Sequence, residues 1–342
     1  MGGTRTDRLR IGVIGLGRLW EARHKPALAR LRDRIQVVAV YDQVARRAEL
    51  EATSLRCTSC LGLTEIISRP DVEAILLLTP QWFGLHPITL ACTFQKPVYS
   101  ALPPASHPDG LERVAEAIRS SGIAYMPELA RRYYPATTRL RQLLETTLGP
   151  PRLILGHTRL FGFDRYGLPG PSTQLAPVPL TIDPGSYLID WCRHLFQAEP
   201  CRVQAVETSQ LSESADSGGS DFLRISLVFP GGGLAEVGIG RYHRGAWGEA
   251  TRFLPPPGFQ IFAERGAAWL EMPDRIQWTD ADGNHEERLP LEPTVGEVLN
   301  DQFYRLVRGQ ECSAPGLEDA LAMVRLDQEL RTHLGAGRAL AD

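Results

Sequence analysis

Short apolar runs alternating with amphipathic stretches fill the first third of the chain. Leu9 to Gly15, Ile35 to Tyr41, Val72 to Thr79, Pro97 to Ala101 and Ile123 to Met126 read as strands. The run from Val72 to Thr79 is almost continuously apolar, as a strand covered on both faces requires. Between these runs, Arg18–Arg32, Val44–Ala52, His86–Phe94 and Pro108–Ser120 carry helical spacing. Strands that alternate with helices pair in parallel through right-handed crossovers, so this third predicts an α/β, doubly wound sheet.

The pattern changes after a helix predicted over Pro135–Leu148 and stopped by Gly149-Pro150-Pro151. Arg152–Leu160, Arg202–Gln210, Phe222–Phe229, Leu234–Tyr242, Gln260–Glu264, Ala267–Glu271 and Ile276–Trp278 then follow one another as strands. Gly231-Gly232-Gly233 and Asp282-Gly283-Asn284 mark tight turns, which predicts a large, mostly antiparallel open sheet. Val295–Arg308 and Leu317–His333 read as closing helices, with Val298, Leu299, Phe303, Leu306 and Val307 at core spacing. The expected division is 1–130 for the doubly wound domain, 135–148 as its link, and 151–334 for an α+β domain whose core includes the helices of 295–334. Four prolines without periodicity make Leu168–Pro179 a loop.

A chain of 342 residues, 43% hydrophobic and 23% charged, is long and apolar enough for two packed domains. Its net charge of −3 offers no attraction to nucleic acid or to an anionic membrane. No apolar run approaches a bilayer-crossing length, and Ile11 to Leu16 is too short for a signal peptide's apolar core. The expectation is a cytoplasmic protein acting on a small molecule, with neither nucleic acid nor membrane as partner. Cys57-Thr-Ser-Cys60 has the spacing of a metal or redox half-site, but no second ligand pair accompanies it. These thiols are read as structural, and no metal site is expected.

The segment Ile11-Gly-Val-Ile-Gly15-Leu16-Gly17-Arg18-Leu19-Trp20 sets glycines between a strand and a helix. Gly15 suits the tight turn, and Gly17 lets the backbone approach a pyrophosphate. The helix opening at Arg18 and Leu19 brings amides and a positive dipole end to the phosphates. Trp20 stands where the fingerprint has its third glycine, which predicts a displaced helix or unusual packing there. Asp42 ends the next strand, where a carboxylate accepts ribose hydroxyls and repels a ribose phosphate. NAD is therefore the expected cofactor and NADP the less favoured, with Arg46 and Arg47 near enough to soften the preference. A structural βαβ unit without nucleotide is the competing reading of the same segment.

Four further segments recur in the order and spacing of one family. They are Asp71-Val-Glu-Ala-Ile-Leu-Leu-Leu-Thr79-Pro80 with His86, Gln95-Lys-Pro-Val-Tyr-Ser-Ala101-Leu102-Pro103, Arg131-Arg132-Tyr-Tyr-Pro135, and Asp183-Pro-Gly185-Ser-Tyr187-Leu-Ile-Asp190. With the glycine turn, they make the chain similar to the glucose-fructose oxidoreductase / inositol dehydrogenase / MocA family over nearly its whole length. The resemblance implies a Rossmann domain followed by a substrate domain that self-associates through its sheet into homodimers or homotetramers. It implies that Thr79, Pro80, His86 and Leu102 lie along the cofactor. It also implies that Asp183, Tyr187 and Arg132 face the substrate side, with Trp82 close to the nicotinamide end.

The departures from the family fall at its chemistry. Ala101-Leu102-Pro103 aligns with the family's Glu-Lys-Pro, and Tyr187 takes the histidine position of Asp-x-Gly-x-His-x-x-Asp. Leucine moves no proton. Tyrosine, with an ordinary pKa near 10, is a poor base at neutral pH and a more plausible acid, donating to a carbonyl during reduction. Asp183 and Tyr187 are thus the catalytic candidates, although Asp183 also suits a helix cap before Pro184 and Tyr187 a hydrogen-bonded core position. Arg132 equally suits a plain ion pair. The leading expectation is hydride transfer between a nicotinamide and a sugar-, polyol- or carbonyl-type molecule. The competing readings are a catalytically silent sensor on the same fold, and a hydrolase or lyase that recycles bound NAD.

Overall fold

The computed structural model describes residues 8–78, 83–101, 108–160, 185–208, 222–241 and 258–338. The chain forms two compact units, residues 1–130 with 292–324, and residues 131–291 with 325–342. The first holds six parallel strands: β1 (Leu9–Ile14), β2 (Ile35–Tyr41), β3 (Thr58–Ser59), β4 (Ala74–Leu77), β5 (Val98–Ser100) and β6 (Tyr125–Pro127). Their order is β3-β2-β1-β4-β5-β6. Each of the four β4 residues is buried, which explains the unbroken apolar run from Ala74 to Leu78. Helices α1 (Lys25–Arg30), α2 (Ala45–Leu55), α3 (Leu63–Ser68), α4 (His86–Thr93) and α5 (Pro108–Ser121) alternate with the strands.

Two of these elements escape a reading of the pattern. β3 is two residues long and lies inside Cys57-Thr-Ser-Cys60, while α3 is a six-residue helix that buries Ile66 and Ile67. Both are shorter than one period of reliable signal. Their consequence for the cysteines is direct. Burial pushes the Cys57 thiol up to about 11 and raises Cys60 as well, so both stay protonated at neutral pH.

The second unit opens with α6 (Pro135–Leu143), continued by a π turn over Leu144–Leu148. Its strands are β7 (Pro151–Leu160), β8 (Arg202–Thr208), β9 (Phe222–Val228), β10 (Leu234–Arg241), β11 (Gly258–Ala263), β12 (Gly266–Glu271), β13 (Arg275–Asp280) and β14 (Gly283–Arg288). They pair in the order β14-β13-β12-β11-β7-β10-β9-β8, antiparallel throughout except for β7 against β10. Helix α7 (Ser186–Phe196) and α6 share one core with the sheet, built on Leu140, Leu188, Trp191, Val237, Phe259 and Ile261. The Trp191 indole N–H donates to Thr137 Oγ1 at 3.0 Å, which satisfies the one polar atom of a fully buried ring. Leu155, Val206, Phe262 and Trp269 are exposed strand residues of the same sheet.

The closing helices differ from the expectation that both serve the second domain. α8 (Val295–Val307), capped by the reciprocal Thr294–Glu297 box, groups with the first unit. The division falls inside α9 (Leu317–Arg338), after Val324. Apolar periodicity shows that a helix is buried but not which core buries it, and here side-chain pairing decides. Asn300 donates to His24 Nδ1 at 3.1 Å, Phe303 meets Tyr99 edge-on, and Gly296 lies against the backbone of Arg23. No helix among the described residues is long and apolar enough to cross a membrane.

A methyl group on Gly296 would stand 2.5 Å from the Arg23 carbonyl oxygen, an atom that cannot swing away. Gly296→Ala is expected to lower stability by about 1–3 kcal/mol, read as a shifted urea midpoint. An unshifted midpoint would show that α8 does not need this close approach.

Candidate functional site

Strand order reverses direction between β1 and β4, and in an open parallel sheet the crevice beyond the carboxyl ends of such strands is where ligands bind. The glycine turn leaves β1 at this point. Gly15 has φ +96°, a conformation only glycine adopts without strain, and its N–H donates to the Tyr41 carbonyl at 2.9 Å. Gly17 faces open space: a Cβ built there meets no atom of the described residues within 4 Å. Leu16 and Leu19 are buried beneath the turn, whereas Arg18 is exposed. The turn therefore turns its apolar side chains inward and leaves room beside its backbone, as an anion cradle requires.

The helix that follows begins irregularly. Trp20–His24 form a π turn in which the Lys25 N–H donates to the Trp20 carbonyl, five residues back. Pro26 supplies the reason. In an unbroken α-helix its ring would strike the carbonyl of residue 22 and its missing N–H would leave that carbonyl unpaired, and a wider turn just ahead relieves both faults. This is the irregularity that Trp20 signals in the sequence. Its ring is buried, and its indole N–H has no hydrogen-bond partner among the described residues.

Asp42 lies at the end of β2 as expected, but its carboxylate turns inward. Oδ2 accepts the Leu16 N–H at 2.8 Å and Oδ1 accepts the Val44 N–H at 2.9 Å. The side chain is only 8% exposed, and Arg47 Nη1 stands 3.4 Å from both oxygens. Asp42 thus ties the glycine turn to the β2–α2 corner. Phe83 packs against Tyr41 at the same corner, with ring centroids 6.3 Å apart. His86 is the exposed first residue of α4. Thr79, Pro80, Trp82 and Leu102 lie outside the described residues.

A second carboxylate at this edge of the sheet was not legible beforehand. Glu128, one residue past β6, is buried and accepts from Arg23, from Tyr99 Oη at 2.8 Å, and across 3.1 Å from His24 Nε2. Since Asn300 donates to His24 Nδ1, Nε2 is the ring nitrogen left to carry the proton toward Glu128. Burial alone would raise the Glu128 pKa. The Arg23 charge, with the His24 and Tyr99 hydrogen bonds, overcomes it and holds the carboxyl at about 2. The one sequence signal was a lone acid inside the apolar stretch from Ile123 to Ala130; its partners Arg23 and His24 lie about a hundred residues upstream.

In the second unit, Arg132 meets Asp190 as a bidentate pair, Nε to Oδ2 at 2.9 Å and Nη2 to Oδ1 at 2.6 Å. Arg193 Nη1 adds a third contact at 3.2 Å, and its Nε reaches Glu199 at 2.9 Å. Asp190 is buried, so two cations hold a desolvated carboxylate and fix α7 against the segment before α6. Tyr187 is half-buried in the first turn of α7, one turn ahead of Asp190 on the same side of the helix. Asp183 lies outside the described residues.

Residues 9–129 match the family model described as an oxidoreductase family with an NAD-binding Rossmann fold (Gfo/Idh/MocA). Inositol 2-dehydrogenase of Acidothermus cellulolyticus is 29% identical over 204 residues, 59% of this chain and 58% of that protein. The match thus spans less than two thirds of that relative's length. Among solved structures, an oxidoreductase from Agrobacterium radiobacter in complex with NAD+, L-tartaric acid and magnesium gives a TM-score of 0.81 at 17% identity, covering 96% of this chain and 97% of that one. A 3-ketoreductase from Actinomadura kijaniata in complex with NADP and TDP-benzene gives 0.77 at 18% identity, covering 96% and 98%. At these identities the likeness is one of fold: a parallel Rossmann sheet followed by a mostly antiparallel one.

The Glu128 carboxyl titrates at about 2 in the folded chain against an ordinary 4.5, so its ionised form stabilises the fold. That contribution is complete above pH 4.5 and is lost as pH falls toward 2, amounting to roughly 3 kcal/mol across the window. The stability advantage of wild type over Glu128→Gln, measured by urea unfolding, is expected to be largest at pH 5.5 and to shrink through pH 3. An advantage independent of pH would contradict the assigned network.

Proposed function

We propose that this chain, a member of the glucose-fructose oxidoreductase / inositol dehydrogenase / MocA family through residues 9–129, is an oxidoreductase that uses a nicotinamide dinucleotide on a sugar-, polyol- or related carbonyl-type molecule. The observation that carries this reading is the glycine turn at the switch point, with Gly15 at positive φ, open space beside Gly17, and Asp42 locking Leu16 in place. The residues fit a dinucleotide because a pyrophosphate needs backbone amides without intervening side chains, and this turn offers that surface. When bound, the nicotinamide supplies or accepts the hydride.

The chain's own residues divide the remaining work. Gly15, Leu16, Gly17, Arg18 and Leu19 hold the pyrophosphate, and Tyr41 with Phe83 flanks the adenosine end. Thr79, Pro80 and His86 line the cofactor along its ribose groups, with Leu102 and Trp82 as apolar neighbours of the nicotinamide. Tyr187 donates its phenolic proton to the substrate's carbonyl oxygen as the carbon receives hydride, and the reverse transfer accompanies oxidation. Arg132 acts through Asp190, holding the helix that carries Tyr187, and Asp183 orients a substrate hydroxyl. Inositol 2-dehydrogenase among the curated relatives and a ketoreductase among the structural neighbours support a polyhydroxylated substrate. Self-association through the second sheet belongs to the same reading and is supported by exposed Leu155, Phe262 and Trp269. In sedimentation runs Trp269→Glu is expected to lower the particle mass to that of one chain; an unchanged mass places the contact elsewhere.

The function is tested by following NADH and NADPH consumption with inososes and keto-sugars. Wild type is expected to turn over at least one of them. Tyr187→Phe is expected to slow that turnover by roughly 10²–10⁴-fold with cofactor affinity unchanged. No consumption across the panel removes the oxidoreductase reading, and an unaffected Tyr187→Phe removes the tyrosine's role alone.

A further inference from the structure

The 3₁₀ turn Ala130–Tyr133 carries two consecutive arginines with different surroundings. The Arg132 guanidinium is committed to its bidentate pair with Asp190. Asp190 also accepts from Arg193, which in turn reaches Glu199. Arg131 is half-buried as well, yet it has no hydrogen bond or ion pair with any described residue. Its charge nevertheless acts on α7. The Cys192 thiol, buried on that helix, is pushed up by its burial and by the Asp190 charge, and the Arg131 charge pulls it back. Arg131 therefore stands close to the helix that also carries Tyr187 and Asp190. In this cluster three guanidiniums face two carboxylates, and the surplus positive charge is the one on Arg131.

We propose that Arg131 binds a carboxylate of the substrate, so that the polyhydroxylated molecule this chain acts on is a sugar acid. The proposal rests on the oxidoreductase reading above and narrows its substrate class. A guanidinium drawn partly out of water, with five donors and no acceptor, lacks the partner that normally offsets its lost hydration. Asp190 cannot be that partner, because Arg132 and Arg193 already share it. A ligand that brings its own acceptor can. Two features select a carboxylate as that acceptor. One surplus positive charge matches one carboxylate, whereas a phosphate monoester, with a charge approaching −2, calls for a second cation. The planar fork of an arginine also engages a carboxylate through two parallel bonds, as Arg132 does with Asp190. Arg131 would then hold one end of the sugar acid beside α7, leaving the carbonyl end for Tyr187 on the same helix. Its part is in binding and orientation, and it moves no proton.

The measurement is cofactor consumption with three substrate classes: keto-aldonates and keto-uronates, neutral keto-sugars, and ketose phosphates. Each is run on wild type, Arg131→Ala and Arg131→Lys, with KM and kcat separated. Wild type is expected to favour the acids over the neutral sugars by about tenfold or more in kcat/KM. Arg131→Ala is expected to raise KM for the acids roughly 10–100-fold with kcat little changed, while KM for the neutral sugars moves by less than about twofold. Arg131→Lys is expected to restore part of the loss, since it keeps the charge without the fork. Unchanged thermal midpoints of the variants exclude a folding effect. A wild type that favours neutral or phosphorylated sugars overturns the proposal and leaves the oxidoreductase reading standing. An Arg131→Ala that affects acids and neutral sugars equally, or neither, does the same and makes Arg131 a merely solvated charge. No consumption with any class removes the oxidoreductase reading and this proposal with it.

Discussion

A parallel sheet ends in a row of loops at its carboxyl edge, and something must hold those loops in register before any ligand arrives. In this chain two inward-turned carboxylates do so. Asp42 gathers the amides of Leu16 and Val44, which joins the ends of β1 and β2. Glu128 gathers Arg23, His24 and Tyr99, which joins the ends of β5 and β6 to the first helical turn after β1. Through His24 and Asn300 the second cluster also anchors α8, although α8 is separated from β6 by the whole second sheet in sequence. Each acid is costly to desolvate and is retained only with its donors in place, so the clusters form as wholes or not at all.

The second unit has a comparable anchor of its own. There the Asp190 carboxylate is held between Arg132 and Arg193, one helical turn from Tyr187. The helix that carries Tyr187 is thereby fixed within the second unit.

Much of the fold was legible because it depends on local patterning. Complete burial of β4 wrote itself as an apolar run, and the alternation of β9 and β10 wrote itself as every second residue. The Gly15-x-Gly17 turn and Trp20 were legible because backbone conformation and a steric misfit act at single positions. What stayed hidden depends on distant partners. The direction of the Asp42 side chain is set by the Leu16 amide 26 residues away, and the role of Glu128 by an arginine 105 residues away. Likewise α8 has the periodicity of any buried helix, and only the fit of Gly296 against Arg23 shows which core it joins. Elements as short as β3 and α3 have too few residues to display a period at all.

A π turn is a helical turn holding one residue more than its α counterpart, so it records an insertion that the helix absorbed without unwinding. The one spanning Trp20 to His24 places everything from Lys25 onward about 100° out of phase with a helix that runs regularly from the glycine turn. Arg23 and His24 meet Glu128 in that shifted phase. A relative whose helix is regular here will align with this chain only through a one-residue gap, and the gap belongs between Trp20 and Lys25. Placed anywhere else, it would equate residues that face directions about 100° apart around the helix.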